Sequence, residues 1–141
     1  MRQVVFGVLC CACQPLDPLD TGFEETEDAQ MFVAKHLTEP PAHLDRLRIM
    51  NWNIKFAGAR IRFFFECNGT RSLMTEAEVL TNLEGIAKKI NQVDPDILML
   101  QEADVDSKRV AFINNVQWLL DHTEMNYAAY ASHWKADYIP S

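Results

Sequence analysis

The sequence predicts an α/β fold in which two parallel strands are joined by a helix. Three observations support this prediction: an apolar run around "RIMNW", a capped amphipathic helix after it, and a second apolar run at residues 97–100. Strand, helix and strand in this order form a βαβ unit, whose crossover is right-handed in nearly all proteins. The 141 residues, 48% of them hydrophobic and 23% charged, are enough for one modest core.

The first strand of this unit is predicted from "RLRIMNWNIKF", residues 46–56. The segment is rich in Ile, Leu, Met and Trp and shows little alternation, which is typical of a strand covered on both faces. Residues 63–65, three phenylalanines, follow as a short strand or as a loop that buries aromatic rings. Asn68-Gly69 then indicates a turn.

The helix is predicted to begin after Thr75, because Thr75 and Glu78 have the spacing of a capping box. An apolar stripe for the core follows at helical spacing: Val79, Leu83, Ile86, Ile90 and Val93. Asp94-Pro95 ends the helix, since the residue before proline is displaced from helical geometry. Residues 97–100 are four consecutive apolar residues and are predicted as a buried strand.

A second helix is predicted over residues 109–125, followed by a strand in "YAAYASHW", residues 127–134. The side chains expected to face inward from this helix are Ile113, Val116, Leu119 and Leu120.

Two polar clusters are expected at one edge of the sheet. Asn53 lies near the end of the first strand, and Gln101-Glu102 end the next. Ligands of parallel sheets collect at the carboxyl ends of the strands, where these side chains should meet. A partly shielded carboxylate keeps its charge when a hard cation compensates it, and Mg²⁺ binds one or two carboxylates while retaining waters. The residues alone leave open that Glu102 is solvated and that Asn53 closes a turn.

Two motifs make this interpretation more specific. Trp52-Asn53-Ile54 ends the first strand, and Pro95-Asp96-Ile97 leads into Leu100-Gln101-Glu102 after the helix. Over residues 46–141 this order resembles the start of the endonuclease/exonuclease/phosphatase superfamily, which has the deoxyribonuclease I-like fold. The resemblance implies the N-terminal part of a four-layer α/β sandwich, with two mixed β-sheets flanked by helices.

The same resemblance implies metal-dependent hydrolysis of phosphate esters. It makes Glu102 and Asn53 the catalytic residues and the ligands of Mg²⁺ or Mn²⁺, with Gln101 in support. Arg109 becomes a candidate substrate-binding residue that contacts phosphate, and a solvated arginine at a helix start is the alternative. Nucleic acid, phospholipid and small phosphoesters all remain open as substrates. Lys55 stands where family members that cleave DNA at abasic sites have an acid, which favours the broader phosphodiesterase or nuclease branches.

The resemblance also implies a second catalytic half, for which this sequence has no matching motif. Residues 103–141 contain no Asp-x-Asn and no Ser-Asp-His. His122 is predicted on a helix surface, whereas His133 is placed where it could approach the edge of the sheet. We therefore expect a truncated copy, with uncovered sheet faces and no catalysis by the 141-residue chain alone. The alternative is a non-catalytic, lipid-anchored binding protein built on a half-fold.

Residues 1–13 are interpreted as a secretory or lipoprotein-type signal. Arg2 precedes an apolar run over residues 4–12 that is far too short to span a bilayer as a helix. Ala12 before Cys13 resembles the bacterial lipoprotein signal, which implies a lipidated Cys13 and an exported protein of the cell envelope, either anchored in the membrane or secreted. An ordinary first strand or a misassigned start codon is the alternative.

Residues 14–45 are interpreted as an acidic, proline-containing linker, since proline and clustered acids disfavour regular structure. Its apolar residues 31–33 are expected to dock on the domain as one or two helical turns. Residues 1–45 carry eight acids and two bases, a charge of −6 out of the total of −7. The near-neutral remainder neither indicates nor excludes a polyanionic substrate, and no protein partner is evident.

Two other doubly wound folds are disfavoured. A receiver-like domain needs an acid at the end of its first strand, which here reads Asn-Ile-Lys. A dinucleotide-binding domain needs a Gly-x-Gly-x-x-Gly motif after that strand, and the sequence has none there.

Overall fold

A computed structural model of the chain describes residues 28–39 and 45–132. The described part is a mixed α/β fold with two small sheets and two helices. Its elements are β1 (Gln30–Val33), β2 (Ile49–Asn53), α1 (Glu76–Val93), β3 (Ile97–Gln101), α2 (Asn115–Asp121) and β4 (Tyr127–Tyr130), with 3₁₀ turns at Lys55–Ala57 and Lys108–Val110. The predicted signal with Cys13 and the predicted position of His133 lie outside the described residues.

The predicted βαβ unit is present. β2 and β3 pair in parallel, in a register that runs from Ile49 opposite Ile97 to Asn53 opposite Gln101. α1 connects the two strands. The polar residues that end the two strands therefore arrive at the same edge of this sheet, as expected for a parallel pair.

Helix α1 begins at the predicted capping box. The Thr75 hydroxyl oxygen accepts a hydrogen bond from the backbone N–H of Glu78 at 3.3 Å, and the Glu78 carboxylate accepts one from the N–H of Thr75 at 2.9 Å. Asp94 ends the helix in the left-handed conformation, with a φ of 52°. The helix buries Val79, Leu83, Ile86 and Ile90 of the predicted stripe, together with Ala87, and these side chains lie in the core. Val93, the fifth residue of the predicted stripe, is half-buried.

The expectation that β2 and β3 are covered on both faces is wrong for the described residues. Met50, Trp52, Leu98 and Leu100 pack against the core that contains α1. The opposite face leaves Ile49, Ile97 and Met99 exposed to 57%, 41% and 47%. Helix packing in the described part covers one face, whereas the continuous apolar runs predicted a cover on each face.

Helix α2 is shorter than the predicted helix over residues 109–125. It begins after Asn114, whose side-chain oxygen accepts a hydrogen bond from the N–H of Gln117 at 2.9 Å. The residues before it form a 3₁₀ turn, and Ala111 and Phe112 then have φ values of 54° and 59°, which no α-helix continues through. Leu119 and Leu120 are buried as predicted, and Val116 is half-buried.

The second sheet joins β1 and β4 in antiparallel orientation, from Gln30 opposite Tyr130 to Val33 opposite Tyr127. The apolar residues 31–33 therefore form a strand, and the expected helical turns are wrong. This strand lies inside the segment interpreted as a linker. Its pairing partner, β4, is at the far end of the described chain, so no local sequence pattern predicts the pairing.

Two side-chain contacts fasten the segment after β1. The side chain of Asn126 accepts from the N–H of Thr38 and donates to its carbonyl oxygen, each at 2.8 Å. Lys35 forms an ion pair with Asp121 at 2.8 Å. Burial alone would raise the pKa of the Asp121 carboxyl, but the hydrogen bonds from the Lys35 ammonium and backbone outweigh it and lower that pKa.

Candidate active site

Asn53 and Glu102 meet at the carboxyl ends of β2 and β3, where the sequence predicts them. The Asn53 side-chain nitrogen donates a hydrogen bond to Oε1 of Glu102 at 2.8 Å. Beside this pair, the Gln101 amide donates to the side-chain oxygen of Asn51 at 2.7 Å. Asn53 and Glu102 are both exposed, so an incoming ligand has access to them.

The amide of Asn53 is held at both of its polar atoms. Its oxygen accepts a hydrogen bond from the backbone N–H of Lys55 at 2.9 Å, while its nitrogen donates to Glu102. This orientation points N–H, and not oxygen, at the carboxylate. The contacts are those of a residue that orients Glu102, and the role of Asn53 as a direct metal ligand stays a prediction.

The backbone around this pair is held in an unusual conformation. Glu102 has a φ of 54°, and Lys55, Phe56 and Ala57 have φ values of 49°, 43° and 60°. The left-handed region costs a residue other than glycine roughly 1–2 kcal/mol. The backbone N–H of Phe56 donates to the Glu102 carbonyl oxygen at 2.7 Å, which links the two strained segments. Strain of this kind clusters at functional sites.

Arg109, the predicted phosphate contact, is already engaged. Its Nε and Nη2 atoms donate to the two carboxylate oxygens of Asp104 at 2.5 and 2.7 Å. The guanidinium also lies over the ring of Phe56, 3.9 Å from its centroid. The described residues leave Nη1 without a hydrogen bond, so a phosphate contact would use that nitrogen. Substrate binding by Arg109 stays a prediction, and its observed contacts brace the segment after Glu102.

Lys55 extends away from Glu102 and closes the loop that follows β2. Its ammonium donates to both carboxylate oxygens of Glu66, at 2.8 and 2.7 Å, and to the carbonyl oxygen of Ile61 at 2.9 Å. The Lys55 hydrogen bond, with a backbone hydrogen bond from Phe63, lowers the pKa of the Glu66 carboxyl. The sequence gives no periodic pattern that pairs Lys55 with Glu66, and sequence reasoning missed this clamp.

Residues 63–65 form a loop rather than a strand, joined to Arg71 by an isolated bridge at Phe63. Phe63 is buried, with its ring perpendicular to that of Phe56 at 4.8 Å. Phe64 and Phe65 are 42% and 57% exposed, so burial of the aromatic rings is confirmed for Phe63 alone.

The predicted Asn68-Gly69 turn is present, with Asn68 at a φ of 62°. A Cβ atom on Gly69 would lie 1.8 Å from the carbonyl oxygen of Phe63, so the close approach of the two backbones requires glycine there. Cys67 beside the turn is an exposed free thiol.

Glu102 retains a carboxylate oxygen that is not hydrogen-bonded to any described residue. Asp104 is bound to Arg109, whereas Oε2 of Glu102 accepts no hydrogen bond in the described part of the chain. Residues 28–39 and 45–132 contain no group of three or more His, Cys, Asp or Glu side chains placed to hold a metal ion. A single carboxylate fits Mg²⁺, because waters and substrate oxygens supply the other ligands of that ion. It does not fit a metal ion whose ligands must all come from the protein.

His122 is a surface residue, as predicted. It follows α2, and its ring stacks on that of Trp118 with centroids 3.7 Å apart. Its Nδ1 atom lies 2.7 Å from the Trp118 carbonyl oxygen. These contacts give His122 a structural role at the end of α2.

Comparison with protein-family models, curated proteins and solved structures gives no match to this chain. Among the described residues, neither helix has both the length and the hydropathy needed to cross a bilayer.

Proposed function

We propose that the chain carries the metal-binding half of a phosphoester hydrolase site, with Glu102 as the ligand of Mg²⁺ or Mn²⁺ and Asn53 as the residue that orients it. The observation that carries this proposal is the 2.8 Å hydrogen bond from Asn53 to Glu102 at the ends of two parallel strands. The left-handed backbone at Glu102 and the free oxygen of its carboxylate support it further.

The roles of the residues follow from their contacts. Asn53 fixes the rotation of the Glu102 carboxylate through Oε1, which directs Oε2 outward as a ligand atom. The backbone N–H of Lys55 fixes Asn53 in turn. A bound Mg²⁺ would polarise a phosphoryl oxygen and stabilise the charge that develops there. Arg109, anchored by Asp104, would meet a phosphate oxygen through its remaining N–H groups.

The four-layer sandwich belongs to the same proposal. The exposed face of β2 and β3, with Ile49, Ile97 and Met99, is the surface against which a second sheet of such a sandwich would pack. Three of the six residues on this face are apolar, and the other three are Asn51, Asn53 and Gln101. The apolar part lies toward the start of the strands and could be buried by a further layer.

The hydrolysis test uses the protein at its natural length, purified from its source cell. We expect Mg²⁺-dependent hydrolysis of bis(p-nitrophenyl) phosphate that Glu102→Gln lowers by at least about a hundredfold, the scale of losing transition-state charge stabilisation. Glu84→Gln is the matched control, because Glu84 is an exposed acid of α1 with no hydrogen bond in the described residues. Hydrolysis that survives Glu102→Gln unchanged would overturn the proposal.

The intact mass of the same preparation tests the remaining expectations. An acyl addition on Cys13 would support an exported, lipid-anchored protein, and a mass with the whole N-terminal segment unmodified would contradict it. If the protein at its natural length hydrolyses no phosphoester but still adheres to the envelope, the non-catalytic binding protein becomes the better interpretation.

A further inference from the structure

We propose that the loop formed by residues 60–65 is a docking surface for an anionic lipid bilayer. Arg60, Arg62, Phe64 and Phe65 are exposed in this loop, and Ile61 is half-buried. The proposal is independent of phosphoester hydrolysis, because it rests on side chains that have no part in the Asn53–Glu102 pair.

The two arginines supply the charge that such a surface would recognise. In the described part of the chain, charged residues on both sides of the loop pair with other residues: Lys55 pairs with Glu66 at 2.7 Å, and Arg71 pairs with Glu78 at 2.6 Å. Arg60 and Arg62 form no ion pair with any described residue. Arg62 still interacts with the Glu66 carboxylate through its charge, which contributes to lowering the pKa of Glu66. Two cations outside any ion pair, beside exposed apolar groups, are complementary to anionic lipid headgroups above an acyl layer.

The phenylalanines are held outward by a rigid base. Phe65 stacks on Phe63, with ring centroids 5.8 Å apart and ring planes inclined by 7°. The ring of Phe64 lies nearly perpendicular to that of Phe65, with centroids 5.4 Å apart. Phe63 is anchored in the core against Phe56. The clamp of Lys55 on Glu66 and on the Ile61 carbonyl oxygen closes the loop behind these rings. Exposure of Phe64 and Phe65 is therefore imposed by the fold, and no rearrangement is needed before they insert.

A bilayer fits these residues better than a nucleic-acid strand does. Phenylalanine carries no group that hydrogen-bonds a base, and Arg60 and Arg62 are the only polar side chains among residues 60–65. Leu73, exposed to 44% close to the same loop in sequence, is aliphatic and adds nothing to base stacking. Exposed apolar side chains preceded directly by two arginines have the composition of a segment that lies at a membrane interface.

The test is sedimentation of the full chain with phosphatidylcholine vesicles that contain or lack phosphatidylglycerol. The chain carries Cys13→Ser throughout, so that no acyl group contributes. We expect binding that requires phosphatidylglycerol. The double variant Phe64→Ser/Phe65→Ser should lower the partition coefficient by at least about tenfold. Arg60→Gln and Arg62→Gln should each lower the partition coefficient by about fivefold. Phe112→Ser and Arg46→Gln are matched controls, exposed residues of the same types outside the loop, and should bind as the parent does.

Hydrogen–deuterium exchange on the chain without loop substitutions keeps the proposal testable if a variant misfolds. Phosphatidylglycerol vesicles should slow exchange at residues 60–66, beyond any effect elsewhere. Equal binding by the double variant, vesicle protection confined to other segments, or loop-dependent binding of a single-stranded oligonucleotide without vesicle binding would each overturn the proposal. A failed vesicle experiment leaves the hydrolysis test unaffected, since that test depends on Glu102.

Discussion

The two described sheets of the protein differ in the sequence separation of their paired strands and in the local signals that predict the pairing. β2 and β3 are consecutive strands joined by α1, and each has a strong local pattern of its own. β1 and β4 are short strands from opposite ends of the described chain, and their pairing depends on contacts that form only in the folded protein. The comparison suggests that the parallel unit is the stable frame of the site and that the antiparallel pair opens more readily.

The largest expected effect comes from breaking the core of the parallel unit. Leu83 is fully buried on α1, and Leu83→Ala should lower the free energy of unfolding by about 3 kcal/mol, through lost burial and the cavity that remains. Urea denaturation followed by circular dichroism measures this. Leu37→Ala, at a leucine that is 56% exposed, is the control and should change stability little. A loss no greater than that of Leu37→Ala would contradict the assignment of the core.

A smaller effect is expected at the antiparallel pair. Asn126→Ala removes the three side-chain hydrogen bonds to Thr38 and should cost about 2 kcal/mol locally. Hydrogen–deuterium exchange should quicken at Gln30–Val33 and stay unchanged in β2 and β3. Asn91→Ala, which removes one exposed hydrogen bond to His122, is the control. If the amides of β2 and β3 lose exchange protection together with those of β1, the two sheets unfold as one unit. That result would contradict the claim that the antiparallel pair opens more readily than the parallel unit.

The cap of α1 should contribute less. Thr75→Ala removes the hydroxyl that accepts from the Glu78 N–H, and it should cost about 1 kcal/mol of unfolding free energy. Thr75→Ser keeps the hydroxyl and should restore most of the stability. The capping box has no role in stability if the alanine and serine variants denature alike.

The smallest effect is a dependence on pH at the same cap. The hydrogen bonds from Arg71 and from the Thr75 backbone lower the pKa of Glu78 from 4.5 to about 2. Because the folded-state pKa is the lower one, this stabilisation is complete above the usual carboxyl range and disappears as pH falls toward the folded value.

Denaturation of the native chain and of Glu78→Gln should therefore give a stability difference at pH 6 that shrinks steadily as the pH is lowered toward 2. A difference that stays constant with pH would show that the ion pair with Arg71 is not formed in solution.

The same contrast explains how far the sequence predicts the fold. The capping box, the apolar stripe and the run before Gln101 are local signals, and they predict α1, β2, β3 and the meeting of Asn53 with Glu102. The sequence predicts helical turns at residues 31–33 because so few residues carry too little periodicity to distinguish a strand without its partner. The predicted second helix begins too early because Asn114, which caps α2, lies in the middle of an apolar pattern that also includes the residues before it.

At the candidate site, the parts that the sequence does not predict are set by the loop after β2. The ion pair of Lys55 with Glu66 joins two residues that are eleven positions apart, and nothing in their spacing indicates it. The left-handed backbone at Glu102 likewise occurs together with the hydrogen bond that the N–H of Phe56 donates to the Glu102 carbonyl oxygen. Contacts of this kind depend on the folded path of the loop and have no periodic pattern in the sequence.

Binding of Mn²⁺ to the full chain, followed by electron paramagnetic resonance, tests the central claim most directly. Glu102→Gln should abolish the bound signal, and Asn53→Ala should weaken the affinity by about tenfold or more, the usual effect of removing a group that orients a ligand. Glu84→Gln should bind as the native chain does. Equal Mn²⁺ binding by the native chain and Glu102→Gln, or no binding by either, would contradict a metal site at the ends of β2 and β3.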